Sequence, residues 1–223
     1  GYAIVGARYP MIKATDWVRN PEGKIIVDPV TGLPKAGDIV AVGTSDPTIR
    51  IGLNSVMKWK GFSLAATFDY RGGHYTRPSS EYNMLFTGAS YISGISGRQR
   101  FVFPNSVIAE TDASGNVTYR ENTDITVNDA GKTFWNGIYK QGRANQIISA
   151  ASWRLRELSL GYDVPKKYLK KVGFLQRASV SLVGRNLFMW TPSTNIWGDP
   201  DFTGSGNGNV GGFSGTNNVG QRS

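Results

Sequence analysis

Cysteine is absent from the 223 residues, and histidine occurs once, at His74. Without thiols there is no disulfide framework, no thiol nucleophile and no Cys-ligated zinc or iron–sulfur site. With a single imidazole there is no multi-histidine metal site either. Charge is sparse: Asp, Glu, Lys and Arg make up 18% of the chain, against about 25% in ordinary globular domains. Long apolar runs are missing as well, and no stretch reaches the roughly 18 residues a transmembrane helix needs. No basic-then-apolar leader is present, and the sequence opens on Gly1, so it reads as a processed chain or a piece of a longer one.

What remains is a chain rich in glycine (28 residues) that keeps 12% aromatics, with 25 Lys and Arg against 16 Asp and Glu for a formal charge of +9. A low-complexity tail would not hold so many rings. The clearest pattern is period two. Along 49–59 the odd positions are Ile49, Ile51, Leu53, Ser55, Met57 and Trp59, and the even ones are mostly polar. After the short link 59–61, Phe62, Leu64, Ala66, Phe68 and Tyr70 alternate with Ser63, Ala65, Thr67, Asp69 and Arg71. Two matched strands joined this tightly form a hairpin. Further strands are expected near 152–162 and 177–190, and a weaker one near 2–9. Helical signal is confined to 166–171. In 152–162, Arg154 and Arg156 share the parity of Leu158, which calls for a bulge or a strand that outruns its apolar zone.

The connections sort by length. Because antiparallel strands alternate direction, the long ones (10–48, 72–151 and 191 onward) fall at one end of the sheet, and the shorter ones (59–61 and 163–176) at the other. Outer-membrane barrels are built this way, with short periplasmic turns and long external loops. Ten residues at about 3.3 Å each, tilted near 40°, rise roughly 25 Å, the height of a barrel's apolar band. Trp59, Phe62 and Tyr162 fall by the short turns and Tyr70, Phe188 and Trp190 by the long loops, as two interfacial girdles would. Alternation also suits a soluble β-sandwich or solenoid, and the pattern leaves both open.

Several ordered blocks then carry a family resemblance. Residues 151–165 (ASWRLRELSLGYDVP), 180–190 (VSLVGRNLFMW) and 199–201 (DPD, where the family has DPE) resemble conserved blocks in the C-terminal third of SusC/RagA-type TonB-dependent outer-membrane transporters of the Bacteroidetes. Residues 23–32, 46–49 and 59–64 match earlier elements of that family in order. The resemblance implies an all-β fold: part of an antiparallel transmembrane β-barrel, about five strands of a barrel of about 22, with long extracellular loops. It implies a C-terminal barrel portion over 1–223, with the plug, the TonB box and the final strand absent. Such a piece has two open edges and is not expected to fold alone, since unpaired backbone in lipid costs several kcal/mol per group. It further implies import of glycans or peptides at the cell outer membrane of a Gram-negative, Bacteroidetes-like organism. The implied partners are outer-membrane lipid, TonB through the absent plug, and a SusD-like lipoprotein lid. The alternative is a secreted or surface β-rich glycan-binding or adhesin module without transport.

No catalytic, cofactor or metal residues are expected, and the chain reads as a non-enzyme. His74 is expected in an exposed loop with no triad around it. Residues 206–211 spell G-x-G-x-x-G, but without the preceding strand and following helix a dinucleotide site needs. Residues 112–116 imitate the start of a calcium loop, yet Val117 and Thr123 stand where Gly and Glu are required. A hairpin tip between 107–108 and 117–119 is expected instead. Asp199 and Asp201 are the only tight acidic loop pair, with nothing beside them to make a glycosidase. Cations are scattered, with clusters at Lys58/Lys60 and Lys166, Lys167, Lys170 and Lys171 on the short-turn side, suited to lipid phosphates rather than nucleic acid. The loop aromatics Tyr75, Tyr91, Trp135, Tyr139 and Trp197, with Tyr82 and Phe86, suit stacking on a sugar or peptide. The expected lipid face is Ile51, Leu53, Leu64, Phe68, Leu160 and Leu182, and the lumen face Asn54, Thr67, Asp69 and Ser181.

Overall fold

The computed structural model describes residues 1–97, 99–170 and 176–201, and strands dominate it. In chain order they are β1 (Met11–Trp17), β2 (Ile25–Val27), β3 (Ala36–Thr44), β4 (Ile49–Trp59), β5 (Phe62–Gly72), β6 (Tyr75–Thr76), β7 (Ser106–Thr111), β8 (Val117–Glu121), β9 (Ile148–Ser149), β10 (Ser152–Asp163) and β11 (Ser179–Trp190). Two short α-helices accompany them, α1 (Ser79–Phe86) and α2 (Lys166–Leu169). The described residues divide into two units, one from Gly1–Asp46 with 75–148, the other from Pro47–His74 with Ser149–Asp201.

The second unit is an open antiparallel sheet in the order β11-β10-β5-β4. The β4–β5 turn is two residues long, Lys60 (φ 46°) and Gly61 (φ 89°). Both central residues take positive φ, the arrangement that matches the right-handed twist of a hairpin. In β10 the ladder slips between Leu155 and Glu157 against both neighbours. Against β5, Arg156 is the extra residue, with nothing opposite it; against β11 the extra residue lies in β11, where Asn186 and Leu187 face Arg156. Ahead of it Arg154 stands opposite Asp69, and after it Glu157 stands opposite Thr67, so the bulge moves Arg154 off the apolar parity. On the facing stretch of β11, Asn186 adopts φ 50°.

The first unit holds a β1-β3 pair and a sheet in the order β2-β7-β8, with β2 parallel to β7. The β7–β8 hairpin turns at 112–116 as expected: the Asp112 carboxylate accepts from the backbone N–H of Ser114 and Asn116, both at 2.8 Å. Its core gathers Trp17, Val127 and Phe134, with Leu33, Phe101, Phe103, Trp135 and Tyr139 against them. Trp17 lies so close to Gly142 that a Cβ there would come within 2.1 Å of the indole.

Three expectations are corrected here. Residues 2–9 form no strand; Tyr2 makes one bridge to Met11, and the chain turns at Gly6 (φ 77°), where Ala7 N–H bonds to Ile4 C=O at 3.1 Å. The sheet therefore has four of the expected strands, not five. The stretches read as loops, 10–48 and 72–151, carry β1–β3 and β6–β9, and helix occurs outside 166–171, at α1. His74 is buried, 5% exposed, and its carbonyl accepts from Ala150 N–H at 3.0 Å. Lys171, residues 206–211 and the terminal 222–223 lie outside the described residues.

Candidate functional site

The register of the four-stranded sheet decides which side chains share a face. Opposite residues in neighbouring strands point the same way. Row by row, Trp59–Phe62–Tyr162–Val180, Met57–Leu64–Leu160–Leu182, Ser55–Ala66–Leu158–Gly184, Leu53–Phe68–Leu155–Phe188 and Ile51–Tyr70–Trp153–Trp190 cross the sheet on one side. This face is apolar without interruption except at Ser55. Its members are largely open: Leu182 is 74% exposed, Trp59 68% and Met57 61%. The opposite face carries Asn54, Thr67, Asp69, Glu157 and Ser181, with one apolar row containing Val56, Ala65 and Val183. The expected partition of Ile51, Leu53, Leu64, Phe68, Leu160 and Leu182 from Asn54, Thr67, Asp69 and Ser181 is the partition observed.

Rings close both ends of the apolar face. At the hairpin end Phe62 and Tyr162 lie 4.6 Å apart beside Trp59; at the other end Tyr70 and Trp153 lie 4.7 Å apart, and Phe188 and Trp190 5.9 Å. Phe62 and Tyr70 are eight residues apart on β5, which at about 3.3 Å per residue and a tilt near 40° separates the rows by roughly 20 Å. Four strands about 4.8 Å apart and eleven residues long present on the order of 500 Å² of apolar sheet plane. That is the size of patch that marks an interaction surface.

On the polar face three guanidinium groups meet three carboxylates. Arg154 Nη1 donates to Asp199 Oδ2 at 2.8 Å, and its Nη2 reaches both Asp199 Oδ1 and, at 3.1 Å, Asp201 Oδ2. Arg156 Nη2 donates to Asp69 Oδ2 at 2.7 Å, and Arg71 Nη1 stands 3.2 Å from Asp201 Oδ2. Burial is the largest influence on the Asp199 carboxyl and would raise it, but the Arg154 hydrogen bonds, the Asp201 backbone N–H and the Arg154 and Arg156 charges together hold that group below the usual carboxylate range. A glycosidase acid needs the opposite shift. Forked pairing of this kind fixes orientation as well as charge, and here it ties residues 199–201 back to β5 and β10. The sequence held the signal in Arg154-x-Arg156 and Asp199-x-Asp201, but their pairing depends on the bulge.

The first unit contains a buried acid that sequence reasoning missed. Glu81 of α1 is 6% exposed, and its Oε1 accepts from Tyr139 Oη at 2.5 Å. Burial pushes this carboxyl up to about 7, against the pull of Tyr139 and Arg77. Burial and then the Glu81 charge push the Tyr139 phenol up in turn. Burial lowers Arg77, and Arg143 adds to that. Nothing in the local sequence SSEYNMLF distinguishes Glu81 from a solvated helix acid.

The expected aromatic contacts are distributed between the units. Trp135 and Tyr139 come together, ring centroids 5.2 Å apart, and both pack on Phe134, at 4.8 and 5.7 Å. Tyr75 lies in β6, 38% exposed, its ring against Gly43. Tyr91 opens a 3₁₀ turn and is 69% exposed. Phe86 ends α1, half exposed, and the Tyr82 side chain lies outside the described residues. Trp197 belongs to the second unit, where its N–H bonds to Asn195 Oδ1 at 3.2 Å.

Compared with known proteins, the chain matches no family model and no curated protein. Among solved structures it is similar to chains of the RagAB peptide importer in its closed-closed state (17% identity, TM-score 0.49) and its open-open state (17%, 0.47). It is similar too to a chain of the RagAB peptide transporter (16%, 0.48). Each match covers 82% of this chain and 19% of that one.

Proposed function

We propose that the four-stranded sheet is a stretch of transmembrane wall in an outer-membrane nutrient importer. The observation that carries this is the largely water-exposed apolar face, broken only at Ser55, bounded by two aromatic rows roughly 20 Å apart and backed by a polar face. In water so large an apolar surface would be a liability; against acyl chains it is the required one. Among the described residues its edges, β4 and β11, pair with no further strand, and in lipid they call for more, because lipid offers backbone groups no substitute partner.

The resemblance of 151–165, 180–190 and 199–201 to SusC/RagA-type transporters narrows the role to TonB-dependent uptake. On this reading a SusD-like lipoprotein covers the external side and TonB supplies the energy. The cargo is an oligosaccharide or peptide, and the organism is a Bacteroidetes-like Gram-negative. Tyr75, Tyr91, Trp135, Tyr139 and Trp197 supply ring contacts to cargo, each within its own unit. The wall performs no bond chemistry, so the protein is no enzyme.

Fractionation tests the reading. The full chain, expressed within its complete open reading frame, should sediment with outer membranes and leave them only in detergent. A chain that stays soluble and monomeric without detergent would refute the wall and favour a surface glycan-binding module.

A further inference from the structure

Lys58, Ser63, Gly161 and Ser181 stand directly opposite one another across β4, β5, β10 and β11, one row on the polar face near the hairpin end. Gly161 carries no side chain, and the Ser63 hydroxyl leans over it: a Cβ there would lie 2.6 Å from Ser63 Oγ and 3.9 Å from Ser181 Cβ. The row lines a hollow of about 490 Å³ that Lys60 and Arg177 also line.

The charge around this hollow is lopsided. Residues 47–68 and the described part of 158–198 contain a single carboxylate, Asp163, against Lys58, Lys60, Lys166, Lys167, Lys170 and Arg177 at the hairpin end alone. Asp163 is already engaged by Arg177, at 3.4 Å, in a pair whose side chains are 57% and 82% exposed. So exposed a pair holds Arg177 weakly and leaves it free to swing to a stronger anion. The far end of the same polar face is built the other way, each guanidinium of its three-Arg, three-Asp cluster meeting a carboxylate. Lys60 is held over the Trp59 ring, 4.8 Å from its centroid, which positions the ammonium at the rim.

We propose that this hollow binds a phosphate group. Clustered ammonium groups repel one another until an anion joins them. Five side-chain donors line the hollow: the hydroxyls of Ser63 and Ser181, the ammonium groups of Lys58 and Lys60, and the Arg177 guanidinium. That number suits the several oxygens of a tetrahedral phosphate better than the two coplanar oxygens of a carboxylate, and charge-assisted hydrogen bonds to such oxygens are the strong ones. The phosphate comes from a phospholipid headgroup at the level of the Trp59–Phe62–Tyr162 row or from a soluble phosphate ester. The assignment goes beyond the membrane reading and does not rest on it.

The test uses the full chain within its complete open reading frame, purified in detergent, with two arms. Inorganic phosphate and glycerol 3-phosphate are titrated by calorimetry, and retention of phosphatidylglycerol against phosphatidylcholine is counted by native mass spectrometry. Binding in the first arm identifies a soluble ester; a preference for phosphatidylglycerol in the second identifies a headgroup. Either should weaken at least tenfold in Lys58→Gln/Arg177→Gln, whose side chains lie at the surface, and in Gly161→Ala, which crowds the Ser63 hydroxyl. The proposal is overturned if neither arm shows binding above a chloride or phosphatidylcholine control, or if binding survives undiminished in both variants. A wrong membrane reading would show itself separately, as solubility without detergent.

Discussion

Arginine placed along β5 turns the two faces into a measurable energy profile. Ala66 is midway between the rings of Phe62 and Tyr70 and shares its row with Ser55, Leu158 and Gly184. It therefore lies near the centre of the apolar band. Leu64 is two residues from Phe62, about 5 Å above the hairpin-end row after allowing for strand tilt near 40°. Thr67 is on the other face, opposite Asn54 and Glu157. Lipid-facing arginine costs about 2–4 kcal/mol at the midplane and about 0–1 kcal/mol at the interface. Ala66→Arg should accordingly destabilise the wall by roughly 3 kcal/mol and Leu64→Arg by roughly 1–3 kcal/mol. Thr67→Arg, with a carboxylate beside it, should stay within about 0.5 kcal/mol, as for an ordinary surface change. The assay is denaturant unfolding of the full chain, within its complete open reading frame, refolded into phospholipid vesicles and followed by tryptophan fluorescence. Equal sensitivity at 64 and 67, or a greater cost at 67, would refute the assignment of faces.

Two further outcomes follow from the charged groups. Glu81 has its carboxyl raised to about 7 in the fold, so the folded state holds a proton that the unfolded chain releases near the ordinary carboxyl pKa. Its contribution to the first unit, about 3 kcal/mol, is complete below about pH 4.5 and lost as pH rises through about 7. The protection of α1 amides, taken relative to intrinsic exchange at each pH, should fall over that interval and stay level in Glu81→Gln. Asp199→Asn should cost about 1–3 kcal/mol by leaving Arg154, 8% exposed, short of a charged partner, read as faster exchange over 195–201. Since the Asp199 carboxyl is lowered by its guanidinium contacts, the wild-type protection there should hold above the ordinary carboxyl range and fade as pH falls through the lowered value.

Much of the sheet was legible because its signal is local. The 49–59 and 62–72 strands differ by a two-residue turn, and each shows its own alternation, so the faces could be named residue by residue. The 107–119 hairpin was legible for the same reason, with Asp112-x-Ser114-Gly115-Asn116 as its turn. What stayed hidden depends on distant partners. β2 is three residues long and exists through its parallel pairing with Ser106–Ile108. β3 joins β1 across a register that slips twice. Residues 2–9 alternate only weakly, and Gly6 turns the chain. Glu81 became a perturbed acid only through burial in the folded unit, where its hydrogen-bond partner is Tyr139, 58 positions away. Among the expected ring contacts, Trp135 and Tyr139 were adjacent in space because they are four apart in a helical segment; Tyr75, Tyr91 and Trp197 had no such spacing to unite them.

The extra residue at Arg156 makes β10 a strand of two phases. Hairpin-side of it, even numbers face the apolar side; beyond it, odd numbers do, so Leu158, Leu155 and Trp153 all look the same way. Deleting this one residue would leave composition almost untouched, yet it would turn Trp153 and Leu155 toward the polar face and Arg154 toward the apolar one. A single-codon deletion here would act like a frameshift in orientation, and a search for strict alternation would split this twelve-residue strand into two fragments.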